Sequence, residues 1–209
     1  MKRALFFSPH TDDVELGAGG TLAKFTKSYQ VYVIAFSDAR HALLPHLPED
    51  TLRKEMLAAM NVLHIDEGNV QFFDFETRRF QSSRQEILDV IIKLRDTIKP
   101  DIVFAPSTCD NHQDHQVIIS EVLRAFKGSD STILGYEQPW NNFSFETTCF
   151  VNLNETDINR KVKALEQYKS QSHRLYINEN FIRSLASIRG VQIGKKYAEA
   201  FEALRVVFN

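Results

Sequence analysis

The chain has 209 residues, of which 43% are hydrophobic and 25% are charged, and its formal net charge is -2. This length suits one sizeable core and is short for two, so we expect a single domain over residues 1–209. A near-neutral charge balance without a long basic run excludes the electrostatic pattern of nucleic-acid-binding and membrane-surface proteins, and it favours a small-molecule partner.

The composition also bears on the compartment. Only two cysteines occur, Cys109 and Cys149, and they lack the spacing of a metal-binding ribbon, which argues against a disulfide framework. The apolar stretch that follows Lys2 and Arg3 is too short for the core of a signal peptide, and no stretch approaches the length of a membrane span. We therefore expect a cytoplasmic protein, and we leave homo-oligomerisation open.

Apolar runs and helical spacing alternate along the chain. Apolar runs rich in β-forming residues predict strands over residues 4–8, 31–36, 70–73, 102–105 and 132–136, and further strands over 147–153 and 204–208. Apolar residues at helical spacing predict helices over residues 52–63, 87–98, 118–125, 158–165 and 181–185. Strands joined by helical crossovers indicate a mostly parallel sheet covered on both faces. We therefore predict an α/β protein with a Rossmann-like three-layer α/β/α fold.

Two polar clusters follow two of the predicted strands. The first cluster comes directly after the first strand and contains His10, Asp12 and Asp13. The second cluster follows the fourth strand and occupies residues 112–115, with the sequence His-Gln-Asp-His. Ligands of open parallel sheets bind outside the carboxyl ends of the strands, so the two clusters should share one pocket if these strands are close neighbours.

The residue types in the two clusters suit a metal. A catalytic zinc usually takes three His or carboxylate ligands and leaves a fourth position for water, and His10, Asp13 and His115 supply such a set. Asp12 and His112 then remain beside the metal as unligated groups, one able to accept a proton and the other able to donate. That combination is what hydrolysis requires.

These motifs resemble those of a known family. Residues 9–20, Pro-His-Thr-Asp-Asp-Val-Glu-Leu-Gly-Ala-Gly-Gly, are similar to the signature of the PIG-L (LmbE-like) zinc-dependent deacetylases, and residues 112–115 are similar to the second motif of that family. The similarity extends to residues 163–171 and 189–201, so it covers most of the chain. Thr11 stands where the family commonly has proline, but Thr11 supplies no ligand.

The resemblance implies both a reaction and a ligand set. It implies a Rossmann-like enzyme that removes the acetyl group from N-acetylglucosamine-type amino sugars, with zinc bound by His10, Asp13 and His115. Asp12 would act as the general base. Ferrous iron accepts similar His and carboxylate ligands, so zinc is the expected metal and iron an alternative.

The resemblance also implies roles for residues around the metal. His112 would stabilise the oxyanion, and Asp114 would orient and polarise His112 and so keep it charged near neutrality. Tyr197 would approach the substrate.

Several residues outside the two clusters have two interpretations. The only tryptophan, Trp140, lies just past a predicted strand end, where it would stack on a sugar ring or pack within its loop. Arg189 would contact a carboxylate or the substrate. We expect Glu15 to stabilise the start of a helix rather than to bind the metal. His41 and His46 lie in the loop after the second strand and could line the same crevice.

Three functions remain open at this stage. The leading hypothesis is a zinc-dependent N-deacetylase acting on an N-acetylated amino sugar or its conjugate. A second hypothesis keeps the metal and the sugar scaffold but cleaves a different amide, so that no acetate is released. A third makes the protein a non-catalytic, metal-dependent sugar-binding module.

Overall fold

Seven strands form a single sheet in this computed structural model, which describes residues 1–40, 43 and 45–208. In chain order the strands are β1 (Lys2–Ser8), β2 (Tyr29–Ala35), β3 (Val70–Phe72), β4 (Ile102–Pro106), β5 (Thr132–Tyr136), β6 (Cys149–Leu153) and β7 (Tyr197–Arg205). Their order across the sheet is β3-β2-β1-β4-β5-β7-β6. The first five strands pair in parallel, whereas β7 runs antiparallel to both β5 and β6. The predicted mostly parallel sheet is confirmed.

Helices cover both faces of the sheet. The described residues form α1 (Asp13–Phe25), α2 (Thr51–Val62), α3 (Arg84–Ile98), α4 (Gln113–Ala125), α5 (Glu155–Leu165) and α6 (Glu179–Val191). Short 3-10 turns occur at Glu67–Asn69, Phe80–Ser83 and Lys169–Gln171.

Alternate strand residues pack against opposite helical layers because successive side chains of a strand point to opposite faces. Phe6 of β1 is fully buried in a cluster that includes side chains of α1, α2, α5 and α6. Its neighbours Leu5 and Phe7 are fully buried in a second cluster, which includes side chains of α3 and α4. The strands are apolar on both faces because they lie between two helical layers. The predicted three-layer α/β/α fold is confirmed.

The sheet has its topological switch point between β1 and β4. The chain winds outward from β1 through β2 to β3, then returns to the other side of β1 with β4 and β5. At such a point the loops that leave the two central strands turn in opposite directions and open a crevice at the carboxyl edge of the sheet. The loops after β1 and β4 are those that carry the two polar clusters.

The last strand differs from the prediction. The apolar run at residues 204–208 predicted a strand, but β7 begins at Tyr197 and ends at Arg205. Acidic residues at 199 and 202 lie within β7 and interrupt its apolar character, while pairing to strands on both sides defines its extent. Within the described residues, no helix combines the length and the apolar character needed to cross a membrane.

Candidate active site

The first polar loop connects the end of β1 directly to α1. Asp13 is the first residue of α1, and its carboxylate accepts the backbone N–H of His10 at 2.8 Å. The hydroxyl of Ser8, at the end of β1, accepts the backbone N–H of Val14 at 3.2 Å. The loop therefore turns tightly, and it carries His10 and Asp13 over the carboxyl edge of the sheet.

The three predicted ligands converge. Oδ2 of Asp13 lies 3.0 Å from Nδ1 of His10 and 3.1 Å from Nε2 of His115, and the three ligand atoms all lie within 4.8 Å of one another. Zinc bonds of about 2.1 Å in a tetrahedral site separate neighbouring ligand atoms by about 3.4 Å. The spacing and the chemistry of this set, two imidazoles and one carboxylate, therefore fit a divalent metal.

A carboxylate holds the other nitrogen of each imidazole. Nε2 of His10 lies 3.0 Å from Oδ2 of Asp114, and Nδ1 of His115 lies 2.7 Å from Oδ2 of Asp110. Such partners fix the tautomer and the orientation of a metal-binding imidazole. Sequence reasoning missed Asp110. The signal was available, because each ligating imidazole needs such a partner and Asp110 lies in the same loop as His115.

Asp114, which was expected to orient His112, hydrogen-bonds the ring of His10 instead. The carboxylate of Asp114 is shared by His10 and by the backbone N–H groups of Arg78, at 2.6 Å, and Phe80, at 3.4 Å. His112 instead caps the start of α4, where its Nδ1 accepts the backbone N–H of Asp114 at 3.2 Å. A ring nitrogen of His112 still lies within 4.8 Å of the Asp114 carboxylate, so the two groups are neighbours without a hydrogen bond between ring and carboxylate.

The electrostatics of His112 differ from the expectation as well. Burial, followed by the charges of His115 and His10, lowers the pKa of His112 to about 4. The imidazole is therefore neutral near neutrality, with Nδ1 accepting a hydrogen bond and its proton on Nε2.

The pKa values of the other titratable groups in the site are shifted as well. Burial opposes protonation of His10 and His115, but Asp13 and the carboxylate behind each ring outweigh it, raising the pKa of His10 to about 9 and that of His115 to about 10. Burial opposes ionisation of Asp13, yet His115 and His10 hold the pKa of Asp13 well below its ordinary value. Burial, then the charge of Asp13, raises the pKa of Asp12 to about 6.

A further buried side chain orients Asp13. Nε2 of Gln138, which follows β5, donates to Oδ1 of Asp13 at 2.9 Å and to its backbone carbonyl at 3.2 Å. Gln138 is fully buried. The side-chain bond leaves Oδ2 of Asp13 facing the two imidazoles. Sequence reasoning also missed Gln138, although its position just beyond the carboxyl end of a parallel strand was the available signal.

The metal-binding group opens into a cavity of about 340 Å³. Asp12 and His112 line this cavity together with the three ligands. Trp140 lines it as well, with its ring stacked on that of Tyr176 at a centroid distance of 3.9 Å. Asp114 is fully buried and does not line the cavity.

Tyr197 and Arg189, the other two predicted substrate contacts, do not line this cavity. Tyr197 begins β7, pairs with Leu153 of β6 and is buried in the core layer that includes α1. The guanidinium of Arg189 donates to the buried carboxylate of Glu137, with Nε at 2.9 Å from Oε2. Arg189 thus contacts a carboxylate of this chain, which was the other expectation for it.

Two remaining expectations concern Glu15 and the histidines after β2. Glu15 does lie in the first turn of α1, but it is fully buried against the hydroxyl of Tyr168, and burial raises the pKa of Glu15 well above its ordinary value. A neutral carboxyl does not stabilise a helix terminus through its charge. His41 lies outside the described residues, and His46 does not line the cavity.

Comparison with known proteins places this site in a family. The model of the family PIG-L, described as GlcNAc-PI de-N-acetylase, matches residues 5–126, which include both polar clusters. The chain belongs to the PIG-L family. The matched segment runs from β1 to α4 and thus contains the whole metal-binding group.

Two curated relatives of this PIG-L protein are deacetylases by name. The chain is 25% identical over 182 residues to the uncharacterized deacetylase YaiS of Escherichia coli K12, covering 81% of this chain and 91% of that one. It is 26% identical over 238 residues to the diacetylchitobiose deacetylase of Thermococcus kodakarensis, covering 100% of this chain and 85% of that one.

Solved structures confirm the fold. The N,N'-diacetylchitobiose deacetylase of Pyrococcus horikoshii superposes with a TM-score of 0.81 at 23% identity, covering 96% of this chain and 83% of that one. GalB, the 4-carboxy-2-hydroxymuconate hydratase of Pseudomonas putida KT2440, also gives 0.81, at 22% identity, covering 100% and 99%. Because a hydratase shares this fold, the fold alone does not define the reaction.

Proposed function

We propose that this protein is a metal-dependent hydrolase that removes the acetyl group from an N-acetylglucosamine-type amino sugar or sugar conjugate and releases acetate. One observation carries the proposal. His10, Asp13 and His115 converge on one point, and Asp12 and His112 line the same cavity without belonging to that set. The names of both curated relatives support deacetylation as the reaction, and the name of the diacetylchitobiose deacetylase supports an acetylated sugar as the substrate.

We propose zinc as the metal and His10, Asp13 and His115 as its ligands. When bound, zinc supplies Lewis acidity toward the amide carbonyl and increases the acidity of a water molecule. Asp110 and Asp114 fix the two imidazoles from behind, and Gln138 fixes the carboxylate of Asp13. Ferrous iron suits the same ligands, so metal analysis of the purified protein distinguishes the two ions.

The residues around the cavity divide the proton transfers between them. Asp12 takes a proton from the attacking water as the new C–O bond forms, and the pKa of about 6 leaves it ionised near neutrality. His112 donates a hydrogen bond from Nε2 to the carbonyl oxygen as negative charge builds there, and one such donor is worth about 3 kcal/mol. Asp12 then returns its proton to the nitrogen while the C–N bond breaks, so the products are acetate and an amine.

Residues 1–209 act as one catalytic domain in this proposal, because both helical layers pack on the single sheet that holds the site. Trp140 forms one wall of the cavity and offers an aromatic surface to the sugar. The stacked ring of Tyr176 fixes its orientation.

Measurement of acetate and free amine tests the proposal. We expect N-acetylglucosaminides to release both in equal amounts, with activity lost on chelation and restored by the metal. Asp12→Ala and His112→Ala should retain the metal and lose at least 100-fold in kcat, which is on the order of the effect of removing a general base or an oxyanion donor. His10→Ala should lose the metal itself.

The same assay separates the alternatives. An amidase of a different amide would release amine without acetate. A sugar-binding module would bind the glycoside without turnover, and Asp12→Ala would then change nothing. Acetate release undiminished in Asp12→Ala would remove Asp12 from the mechanism.

A further inference from the structure

Asn141 lines the cavity but has no part in the proposed reaction. It lies in the loop that follows β5, where its backbone N–H donates to the carbonyl of Gln138 at 2.8 Å. Its own carbonyl accepts the N–H of Asn111 at 3.1 Å, from the loop that follows β4. The backbone of Asn141 is thus held by two loops, so its side chain starts from a fixed point at the cavity.

The side chain of Gln138 defines which way the amide of Asn141 faces. Nε2 of Gln138 donates to Oδ1 and to the backbone carbonyl of Asp13, and both of these atoms only accept, so the other atom of that amide is Oε1. Oε1 of Gln138 lies 3.1 Å from Nδ2 of Asn141. An oxygen at this place requires a donor. The amide nitrogen of Asn141 therefore faces Gln138, and its carbonyl oxygen Oδ1 faces the other way.

A carboxylate agrees with this orientation. Oδ2 of Asp110, which lies 2.7 Å from Nδ1 of His115, is 3.5 Å from Nδ2 of Asn141. The amide nitrogen of Asn141 thus has an acceptor for each of its two hydrogens, in Gln138 and in Asp110. Each of these acceptors also contacts a proposed metal ligand. Asn141 is therefore oriented by the partners of the metal-binding group and lies beside it.

The carbonyl oxygen of Asn141 is left without a donor. Among the residues that the structure describes, no N–H or O–H group donates to this Oδ1. Of the same residues, the buried polar side-chain atoms without a partner belong to Glu15 and Thr21, so Oδ1 of Asn141 is reached by solvent rather than enclosed. An amide oxygen has two lone pairs, and both are available to a ligand in the cavity.

The adjacent asparagine differs in both respects. Oδ1 of Asn142 accepts the backbone N–H of Gln138 at 2.7 Å, and its Nδ2 donates to the hydroxyl of Ser107 at 2.8 Å. Asn142 does not line the cavity. Asn142 therefore holds the loop together, whereas Asn141 combines a fixed donor side with a free acceptor side.

An N-acetylated sugar supplies donors at this place. When its acetamido carbonyl is directed at the metal-binding group, the amide N–H and the hydroxyl on the neighbouring ring carbon are the donors next to the reacting carbon. A donor that leaves water for the cavity loses a hydrogen bond unless an acceptor replaces the water. A free amide oxygen at this point therefore favours a substrate that carries such a donor.

We propose that Asn141 is a specificity-determining residue whose Oδ1 accepts a hydrogen bond from the substrate, either from the N–H of the scissile amide or from the hydroxyl next to the acetamido group. This inference rests on the proposed deacetylation and adds a substrate contact to it. Both donors use the same chemistry, so the arms of the test distinguish them.

Three methyl glycosides test the proposal in wild type and Asn141→Ala. The parent is methyl N-acetylglucosaminide, its 3-deoxy analogue lacks the neighbouring hydroxyl, and the 2-O-acetyl ester of methyl glucoside lacks the N–H. We expect Asn141→Ala to lower kcat/KM for the parent about tenfold, because the donor of the substrate then has no acceptor. The loss should fall below about twofold for the analogue that lacks the bonded donor, and that analogue identifies the donor.

Two further variants separate recognition from structure. Asn141→Asp keeps an oxygen acceptor but loses the donated hydrogens, so it should keep at least the wild-type ratio of kcat/KM between the parent and that analogue. Asn142→Ala, the matched control, should lower the thermal stability and leave this ratio as in the wild type. A purely structural role of Asn141 would instead lower kcat/KM for all three compounds by the same factor in Asn141→Ala.

Binding without turnover makes the outcome independent of catalysis. Calorimetry with metal-loaded Asp12→Ala, alone and combined with Asn141→Ala, should repeat the pattern as differences in affinity. An equal loss for all three compounds, or no loss, would overturn the role of Asn141 and leave the deacetylase proposal intact. Absence of acetate from the parent compound with the wild type would overturn the deacetylase proposal itself, and the affinities would still decide the contact with Asn141.

Discussion

Two carboxylates of the metal site take their roles from the imidazoles to which they are hydrogen-bonded. Asp110 and Asp114 each hold the outer nitrogen of a ligating imidazole, at 2.7 and 3.0 Å. A carboxylate in this position preorganises the ligand and increases its basicity, and its loss typically weakens metal binding 10- to 100-fold. Asp114 therefore supports the proposed ligand His10, whereas the family resemblance implied that it orients and polarises His112.

Removal of either carboxylate tests this assignment. We expect Asp110→Asn and Asp114→Asn to weaken metal affinity about 10- to 100-fold, measured by competition with a chelator of known affinity. Asp96→Asn is the control, because Asp96 is exposed on α3, pairs with Arg95 and does not line the cavity. Unchanged affinity in Asp114→Asn would mean that the contact with His10 does not support the metal.

The hydrogen bonds around Glu15 indicate the protonation state of its carboxyl group. The hydroxyl of Tyr168 contacts both the carbonyl oxygen of Thr11 and Oε1 of Glu15, but it has a single proton. If that proton goes to Thr11, the carboxyl of Glu15 must supply the other. Burial raises the pKa of Glu15 well above its ordinary value, which agrees with a neutral carboxyl.

Replacement of Glu15 by its neutral analogue should therefore be tolerated. We expect Glu15→Gln to change the free energy of unfolding by less than about 1 kcal/mol near pH 5, whereas Glu15→Ala should cost about 2–4 kcal/mol. A carboxyl whose pKa is raised on folding stabilises the protein below its unfolded pKa, and this stabilisation is lost as pH rises toward the folded value. Urea unfolding should thus show the stability of Glu15→Gln relative to wild type increasing with pH. The opposite trend would indicate a buried carboxylate.

At the scale of elements, the regular helical conformation of α1 is interrupted at Ala18. Ala18 has non-helical angles, φ -142° and ψ 20°, and the carboxylate of Glu199 from β7 accepts the N–H groups of Gly20 and Thr21 beyond it, at 2.9 and 2.6 Å. Nζ of Lys161 from α5 donates to Glu199 at 2.6 Å and to the carbonyl of Leu16 at 2.7 Å. A buried ion pair thus replaces the missing helical hydrogen bonds.

The glycines of α1 permit this close packing. A Cβ atom on Gly17 would lie 2.3 Å from the ring of Tyr136, and one on Gly20 would lie 2.4 Å from Leu153. Both distances are shorter than any real contact. The glycine-rich stretch therefore allows α1 to approach β5 and β6 rather than cradling a ligand.

Breaking the buried pair tests its energetic role. Lys161→Met leaves the charge of Glu199 without its partner, and we expect a loss of about 3–5 kcal/mol in the free energy of unfolding. The double variant Lys161→Met with Glu199→Gln should recover a large part of that loss, because no uncompensated charge remains. Lys54→Met, which breaks the exposed pair with Asp50, should cost at most about 1 kcal/mol in the same urea titration. Equal costs for the two lysines would contradict the buried charge pair.

At the scale of the whole molecule, the sequence predicted the features that depend on the order of strands and polar loops along the chain. The apolar runs that precede His10 and the second polar cluster identified two strand ends. The parallel topology places these two ends at the same edge of the sheet. The position of Arg78 could not be predicted, because it depends on how separate loops meet over the sheet. The burial of Tyr197 in the core could not be predicted for a related reason: a strand next to the site offers one face to the core, and alternation of residues along the strand does not tell which face that is.

Metal binding and global stability should be coupled through protons. In the metal-free protein His10 and His115, with pKa values of about 9 and 10, are protonated at pH 7, so the metal must displace both protons. Apparent affinity should therefore weaken up to about 100-fold for each pH unit of acidification below pH 9. Metal at 100 times its dissociation constant stabilises the folded state by about 2.7 kcal/mol, so the advantage of the loaded protein shrinks as pH falls.

The metal-free protein has the opposite dependence. Imidazoles whose pKa values are raised on folding contribute stability that is complete below the unfolded value of about 6.5 and is lost as pH rises through 9 and 10. The difference in Tm between loaded and chelated protein should thus widen from pH 6 to pH 9, measured by calorimetry at fixed free metal. In His10→Ala the difference should be small at every pH, because the ligand set is incomplete. A Tm difference that stays constant or narrows with rising pH in the wild type would show that the metal does not compete with protons for His10 and His115.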